Sequence, residues 1–207
     1  MFTFSLIAAL IAAFIGWMLL SRRQAMPCPA WLAFMVEWDN PFFKSTQAKT
    51  IIAHLDLEPG MRVLDVGCGP GRLTIPLAQA VAPGRVLALD LQEEMLDRAK
   101  VNAERAGVTN IDFQRAAIED CALPIASFDR AVLVNVLGEI PHPAVAMKQI
   151  FTALKPGGVL AVTEIIADPH FQSQTRVLAL ASAAGLREKS RIGGRLAYTL
   201  YLERPRD

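Results

Sequence analysis

Three features of this 207-residue chain predict an α/β fold with a doubly wound, largely parallel sheet. Short, continuously apolar runs recur along it, separated by helix-like stretches, as expected of strands covered on both faces. A glycine-rich turn follows the first of these runs and opens a helix. Gly193-Gly194 separates the last two runs and marks a closing hairpin, which brings one antiparallel strand into the sheet. Composition agrees with a folded domain: 53% hydrophobic and 20% charged residues exclude a disordered chain. The 21 basic and 20 acidic residues leave a net charge of +1, which gives no support to a nucleic-acid partner. Cys28, Cys68 and Cys121 fit neither a disulfide framework nor the spacing of a metal site, and no metal is expected.

The N-terminus is of a different kind. Phe2 to Leu20 carries no charge. As a helix it would span roughly 28 Å, about the thickness of a bilayer's hydrocarbon core. Trp17 falls near its C-terminal end, and Arg22 and Arg23 follow. A signal peptide would carry its basic residues before the apolar run, so residues 1–23 are expected to be an uncleaved, single-pass transmembrane anchor. The basic flank places the remainder of the chain on the cytoplasmic side. Residues 24–44 form a linker rich in aromatics, with Trp31, Phe34, Met35 and Trp38 at helical spacing between Pro29 and Pro41. That helix either packs on the main domain or lies among lipid headgroups, and the two are compatible.

From residue 45 the pattern is regular. A helix over Lys49–Leu55 is followed by the Pro59-Gly60 turn and a strand over Arg62–Val66. Leu73–Val81 is helical; Val86–Leu89 is a strand ending at Asp90; Glu93–Arg105 is a helix stopped by Gly107. Ile111–Arg115 and Arg130–Val136 are strands three and four. A helix over Ala144–Leu154 ends at Lys155-Pro156-Gly157-Gly158, and Val159–Ile165 is strand five. Ser173–Ala184 is a helix stopped by Gly185. Leu186–Arg191 and Leu196–Leu202 close the sheet, giving seven strands with an antiparallel strand at the end.

The stretch Asp65-Val66-Gly67-Cys68-Gly69-Pro70-Gly71 bears the chemistry. Its G-x-G-x-G spacing is not that of the dinucleotide loop, and an acid ahead of it is the wrong charge for a phosphate. A carboxylate suits a ligand with an ammonium group. Asp90, at the end of the second strand, is placed to bond ribose hydroxyls. A ribose joined to an amino-acid group points to S-adenosyl-L-methionine. Cys68 inside the loop reads as a small apolar filler.

These residues resemble the class I S-adenosylmethionine-dependent methyltransferases, and especially the quinone-biosynthesis-like group. The resemblance rests on VLDVGCGPG (63–71), ALDLQEEML (88–96), LPIASFDRAVLVNVL (123–137) and ALKPGGVLAVTE (153–164), and covers about residues 45–205. It implies a Rossmann-like seven-stranded sheet with the last strand antiparallel. It implies Asp65, Gly67 and Gly69 at the methionine end, Asp90 on the ribose and Leu91 beside the adenine. Members often carry Gly-Asp-Ala after the third strand; here Arg115-Ala116-Ala117 stands instead. The adenine contact then falls to the backbone of Ala117 and Ile118 or to Glu119. With Cys68, Gly71 and Asn135, these residues make up the expected cofactor site.

Methyl transfer needs alignment, exclusion of water and, for a protonated nucleophile, a base. The acceptor side is expected at the C-terminal ends of strands four and five. Asn135, Glu139 and His142 follow the fourth strand; Glu164, Asp168 and His170 follow the fifth. Glu139 and His142 are the expected catalytic pair. The three cysteines supply no motif for arsenite chemistry. An anchored enzyme suits an acceptor dissolved in the membrane, either a phospholipid headgroup amine or an isoprenoid quinone ring. The competing reading is a non-catalytic, membrane-tethered cofactor-binding partner protein, against which the intact glycine loop and Asp90 argue.

Overall fold

The computed structural model describes residues 41–206, together with Gly16, Glu37 and Asp39. The expected anchor, Gly16 apart, and the Trp31–Trp38 helix lie outside the described residues. Among the described residues no helix is long and apolar enough to cross a membrane. A single 3-10 turn, Lys44–Thr46, leads into helix α1 (Ala48–Ala53). Then come β1 (Arg62–Val66), α2 (Thr74–Val81), β2 (Arg85–Asp90), α3 (Glu93–Arg105), β3 (Ile111–Arg115), β4 (Phe128–Val134) and α4 (Pro143–Ala153). The chain ends with β5 (Leu154–Ile165), α5 (Gln174–Ala184), β6 (Arg187–Gly193) and β7 (Ala197–Glu203).

The seven strands lie in the order β3-β2-β1-β4-β5-β7-β6. β1 to β5 are parallel, and β7 runs antiparallel to β5 and to β6 on either side. The doubly wound sheet with an antiparallel closing strand is therefore present as expected. The strand order reverses between β1 and β4, and ligands of open α/β sheets bind outside the carboxyl ends at such a point. β1 is buried from Val63 to Val66, and β7 from Ala197 to Leu202, so both sit under helices on each face. One face packs Leu64, Val66, Leu133 and Tyr198 against Met147, Ile150 and Val177 of α4 and α5. The other packs Val63, Val86, Val132 and Tyr201 against Ile51 and Leu77 of α1 and α2.

Buried hydroxyls inside the sheet are paired. The hydroxyls of Thr163 and Thr199 share a buried hydrogen bond of 2.8 Å between β5 and β7, and the Thr199 hydroxyl also donates to the Ser45 carbonyl at 2.8 Å. The Tyr201 hydroxyl donates to the Ile51 carbonyl at 3.2 Å. The segment ahead of the first strand is thus tied to β7 by bonds that span about three-quarters of the chain.

Most boundaries shift by one or two residues from the expected ones, and two of the differences have a clear physical reason. β4 stops at Val134 because Asn135 takes a φ of +55°, in the left-handed region, which leaves the extended conformation. The Lys155-Pro156-Gly157-Gly158 run is an excursion within β5. Leu154 pairs with Phe128, and pairing resumes at Val159 opposite Arg130. Just before the excursion, the last carbonyls of α4 are held by a side chain. Arg204 Nη1 donates to the carbonyls of Phe151, Thr152 and Leu154 at 3.0, 3.1 and 2.6 Å. Its guanidinium also lies over the Phe151 ring, 4.7 Å from the centroid.

Replacing Arg204 by alanine removes this charged cap. The expected loss in urea unfolding is about 1.5–3 kcal/mol, the range for hydrogen bonds to charged groups. Lysine at the same place should restore less than half of it, because a point charge cannot match the planar fork.

Candidate cofactor and acceptor site

The glycine loop leaves β1 at Val66 and turns across the end of β2. The amides of Gly67 and Cys68 both donate to the Leu89 carbonyl, at 2.8 and 2.9 Å. Gly67 has φ +70°, and a methyl group there would overlap the Val136 side chain. Gly69 has φ +52°, and nothing lies within 4 Å of where its side chain would be. Open space therefore lies beside the loop backbone at Gly69.

Asp90 organises this loop from β2. One carboxylate oxygen accepts from the Gly69 amide and the other from the Gln92 amide, both at 2.9 Å. Burial holds its carboxyl above the ordinary value, against the pull of the backbone amides. Asp65, only 3% exposed on β1, accepts a 2.6 Å hydrogen bond from the hydroxyl of Thr74 at the start of α2. Burial pushes Asp65 up to about 6, although Thr74 and the charge of Arg72 pull it down and Asp90 adds to the rise. Thr74 was not singled out in the sequence. The signal was a hydroxyl at the first position of the helix that the loop opens.

The remaining expected cofactor residues lie around this loop or at neighbouring strand ends. Gly71 has φ +91°, and its amide closes a turn on the Cys68 carbonyl at 3.1 Å. Cys68 is buried against Ala88 and Leu96, and burial pushes its thiol up, which keeps it protonated. Leu91 is 49% exposed at the end of β2, an open apolar surface next to the loop. The Ala116 amide bonds the Asp90 carbonyl at 3.1 Å. Ile118 is buried in the core, so only its backbone is open to ligand contact. Glu119 is committed elsewhere: its carboxylate accepts from the His142 amide at 3.2 Å.

The expected catalytic pair lies in the segment between β4 and α4. His142 is exposed and occupies the cap position of α4 between Pro141 and Pro143. Glu139 lies 3.8 Å from Nδ1 of His170, which is equally 3.8 Å from Asp168. Glu164 and Asp168 flank the same loop. The Glu164 carboxylate accepts from the Gln172 amide at 2.9 Å, and Asp168 accepts from the His170 amide at 2.7 Å. Tyr198 donates its hydroxyl to the Gln172 carbonyl at 2.7 Å. Glu164 is 1% exposed, and burial, with Asp168 adding to it, pushes its carboxyl up to about 8. Burial also raises Asp168 and the Tyr198 phenol. One oxygen of Glu164 and the side-chain oxygen of Asn135 are buried with no hydrogen-bond partner among the described residues.

The open space at Gly69, the acids at the ends of β1 and β2 and the exposed Leu91 fit a ligand with a cationic end, a ribose and a flat base. This agrees with what the sequence is similar to. Residues 57–197 match the profile of a family described as a methyltransferase domain, and the chain belongs to that family. Its fold is that of a SAM-dependent methyltransferase of known structure. Among curated relatives, the chain is 36% identical over 115 residues to the ubiquinone biosynthesis O-methyltransferase of Xanthomonas axonopodis pv. citri. That match covers 55% of this chain and 47% of the relative. It is 33% identical over 161 residues to the arsenite methyltransferase of Aquipseudomonas alcaligenes, covering 74% of this chain and 46% of that one. The chain thus spans about half the length of these curated relatives. A crystal structure of a SAM-dependent methyltransferase from Aquifex aeolicus superposes with a TM-score of 0.77 at 21% identity, covering 86% of this chain and 100% of that one. That likeness is one of fold.

Two measurements check the site. Asp90→Ala should weaken S-adenosylmethionine binding ten- to a hundredfold in calorimetry, since it removes a carboxylate and both amide clamps. Asp65 should make the unliganded protein less stable as pH rises. A carboxyl held at about 6 when folded, against 3.8 when exposed, binds its proton more tightly in the folded state. Folding therefore loses stability from about pH 4 to pH 6, by roughly 3 kcal/mol at most. Asp65→Asn should flatten that part of the unfolding-against-pH curve and weaken cofactor binding.

Proposed function

We propose that the chain is a membrane-anchored methyltransferase. It uses S-adenosyl-L-methionine to methylate a lipid-soluble acceptor, and an isoprenoid quinol ring is the reading we favour over a phospholipid headgroup amine. The bound cofactor supplies an electrophilic methyl group on a sulfonium. The protein's part is to hold the cofactor by Asp65, Asp90 and the glycine loop, and to present the acceptor from the β4 and β5 side.

The observation that carries the reading is where the N-terminal segment meets the domain. Asp39 pairs with Arg72, beside the glycine loop, and Glu37 lies 3.9 Å from Arg98 on α3. The chain that follows the uncharged Phe2–Leu20 run therefore joins the domain at its cofactor edge. Exposed apolar side chains lie at the same edge: Phe42 is 86% exposed, Leu196 58% and Ile166 46%. A cavity of about 710 Å³ opens there between Pro41–Ser45 and Ile192–Ala197. A bilayer on this side would give a lipid-soluble acceptor a short path to the site. The basic Arg22 and Arg23 support a cytoplasmic domain.

The quinol reading draws on the relative named for ubiquinone biosynthesis. The arsenite relative is followed less readily. Cys68 and Cys121 are buried in separate core clusters, and burial raises both thiols.

The test is to incubate membranes carrying the full chain with S-adenosylmethionine labelled in its methyl group, then fractionate. Label is expected in the isoprenoid quinone fraction, with the chain resisting alkaline extraction. Label in phospholipid would move the reading to an amine acceptor. Label in neither lipid class, or a chain released by alkali, would overturn it.

A further inference from the structure

We propose that Glu164, on β5, is the group that takes the acceptor's proton, in a buried polar wall shared with Asn135 that would take a ring hydroxyl. This rests on the proposed methyltransferase reading and names the acceptor side of that site.

Contacts join this wall to the cofactor loop. Val136 lies against Gly67, and Asn135 joins β5 through its amide, which donates to the Thr163 carbonyl at 2.9 Å. Glu164 is the next residue on β5. The wall is therefore one strand away from the loop that holds the methyl donor. Glu139, Asp168 and His170 lie behind it, with the two carboxylates each 3.8 Å from the histidine. Gly138 packs so closely on the His170 backbone that any side chain there would overlap it, which fixes the 135–139 and 168–172 segments against each other.

The polar atoms left over choose the ligand. Glu164 has one oxygen on the Gln172 amide, and its other oxygen is buried with no partner among the described residues. The Asn135 side-chain oxygen is in the same position. When Glu164 is ionised, both are acceptors, and a buried acceptor left unfilled is unfavourable. A ligand that satisfies them must bring a donor. An ammonium would meet a carboxyl that is mostly neutral at pH 7, because burial and Asp168 hold it near 8. A phenolic hydroxyl, with an ordinary pKa of about 10, is much better matched to a base near 8 than to an ordinary carboxylate near 4. In the proposed step the acceptor's O–H bond breaks and its electron pair stays on the ring oxygen. The proton passes to the free oxygen of Glu164, which becomes a neutral acid and later returns the proton to solvent.

The groups facing Glu164 set its pH response. They are Asp168 and the Tyr198 phenol, with His170 and Glu139 behind. The ionised, competent form is a minority at pH 7, so turnover should climb as pH rises and level off above about 8.

The experiment uses the full chain in vesicles with a short-chain hydroquinone bearing one free ring hydroxyl, and a control in which hydrogen replaces that hydroxyl. The wild type should bind the hydroxyl compound at least tenfold more tightly than the control in calorimetry. Glu164→Gln keeps an accepting oxygen, so it should retain hydroquinone and cofactor affinity within about threefold. Its turnover should fall about a hundredfold or more, and the rise toward pH 8 should disappear. Glu164→Asp should recover part of the rate. Glu164→Gln with wild-type turnover and pH profile would overturn the proposal and leave the methyltransferase reading intact. A wild type that labels phospholipid amine and neither binds nor methylates the ring would overturn the acceptor assignment itself. If Glu164→Gln fails to bind cofactor, the wild type decides: a profile with no rise toward pH 8, or equal affinity for the two compounds, sinks the proposal.

Discussion

Asp90 ties two turns together with one carboxylate. The loop after β1 and the loop after β2 each present a backbone amide to it, and the two amides come from residues twenty-three apart in sequence. With Gly67 and Cys68 also bonded to the Leu89 carbonyl, the glycine loop is fastened to the end of β2 rather than left as a free turn. Preorganisation of this kind lowers the cost of ordering the loop when a ligand arrives. It also positions what lies beside it: Gly67 packs against Val136, and the segment around Val136 carries Asn135, Gly138 and Glu139 toward the β5 loop.

The price of that organisation is a row of buried acids. Asp65 at the end of β1, Asp90 at the end of β2, and Glu164 and Asp168 at and beyond the end of β5 are all held above ordinary carboxylate values by burial. A core built only for stability would carry apolar residues there. The carboxyl ends of the strands have been given up to chemistry, while Leu64, Val132, Leu160 and Leu200 a few residues earlier are fully buried and apolar. β1, β2 and β5 thus each divide into a stabilising stem and a reactive tip.

Much of this was legible in the sequence. Short strand-like runs, most of them separated by helices, pointed to the parallel sheet, and the Gly193-Gly194 hairpin to the reversed β7. The glycine loop, Asp65 and Asp90 could be read because their chemistry is local: the loop follows one strand, and each acid ends one. The acceptor side could not be read in the same way. Glu139 and His142 are near in sequence, but the prolines on either side of His142 fix it as the cap of α4, where Glu119 holds its amide. Glu139 finds its histidine on a loop after the next strand, a meeting made by the sheet and not by spacing. The excursion in β5 was hidden for a related reason. Lysine, proline and two glycines announce a turn, but only the pairing with β4 shows that the strand begins before it and resumes after it.

The direction of β7 also decides where the chain can be handled. β7 begins at Ala197, beside the end of β5, and runs back to Glu203 at the start of β5. Arg204 then grips the far end of α4, and its amide bonds the Gly158 carbonyl at 2.8 Å. The last described residues therefore emerge at the floor of the sheet, opposite the edge that holds the cofactor loop and receives the N-terminal segment. A fluorescent reporter or affinity handle joined beyond Arg206 would start from the side of the sheet away from both. It would leave the ligand entrance unobstructed.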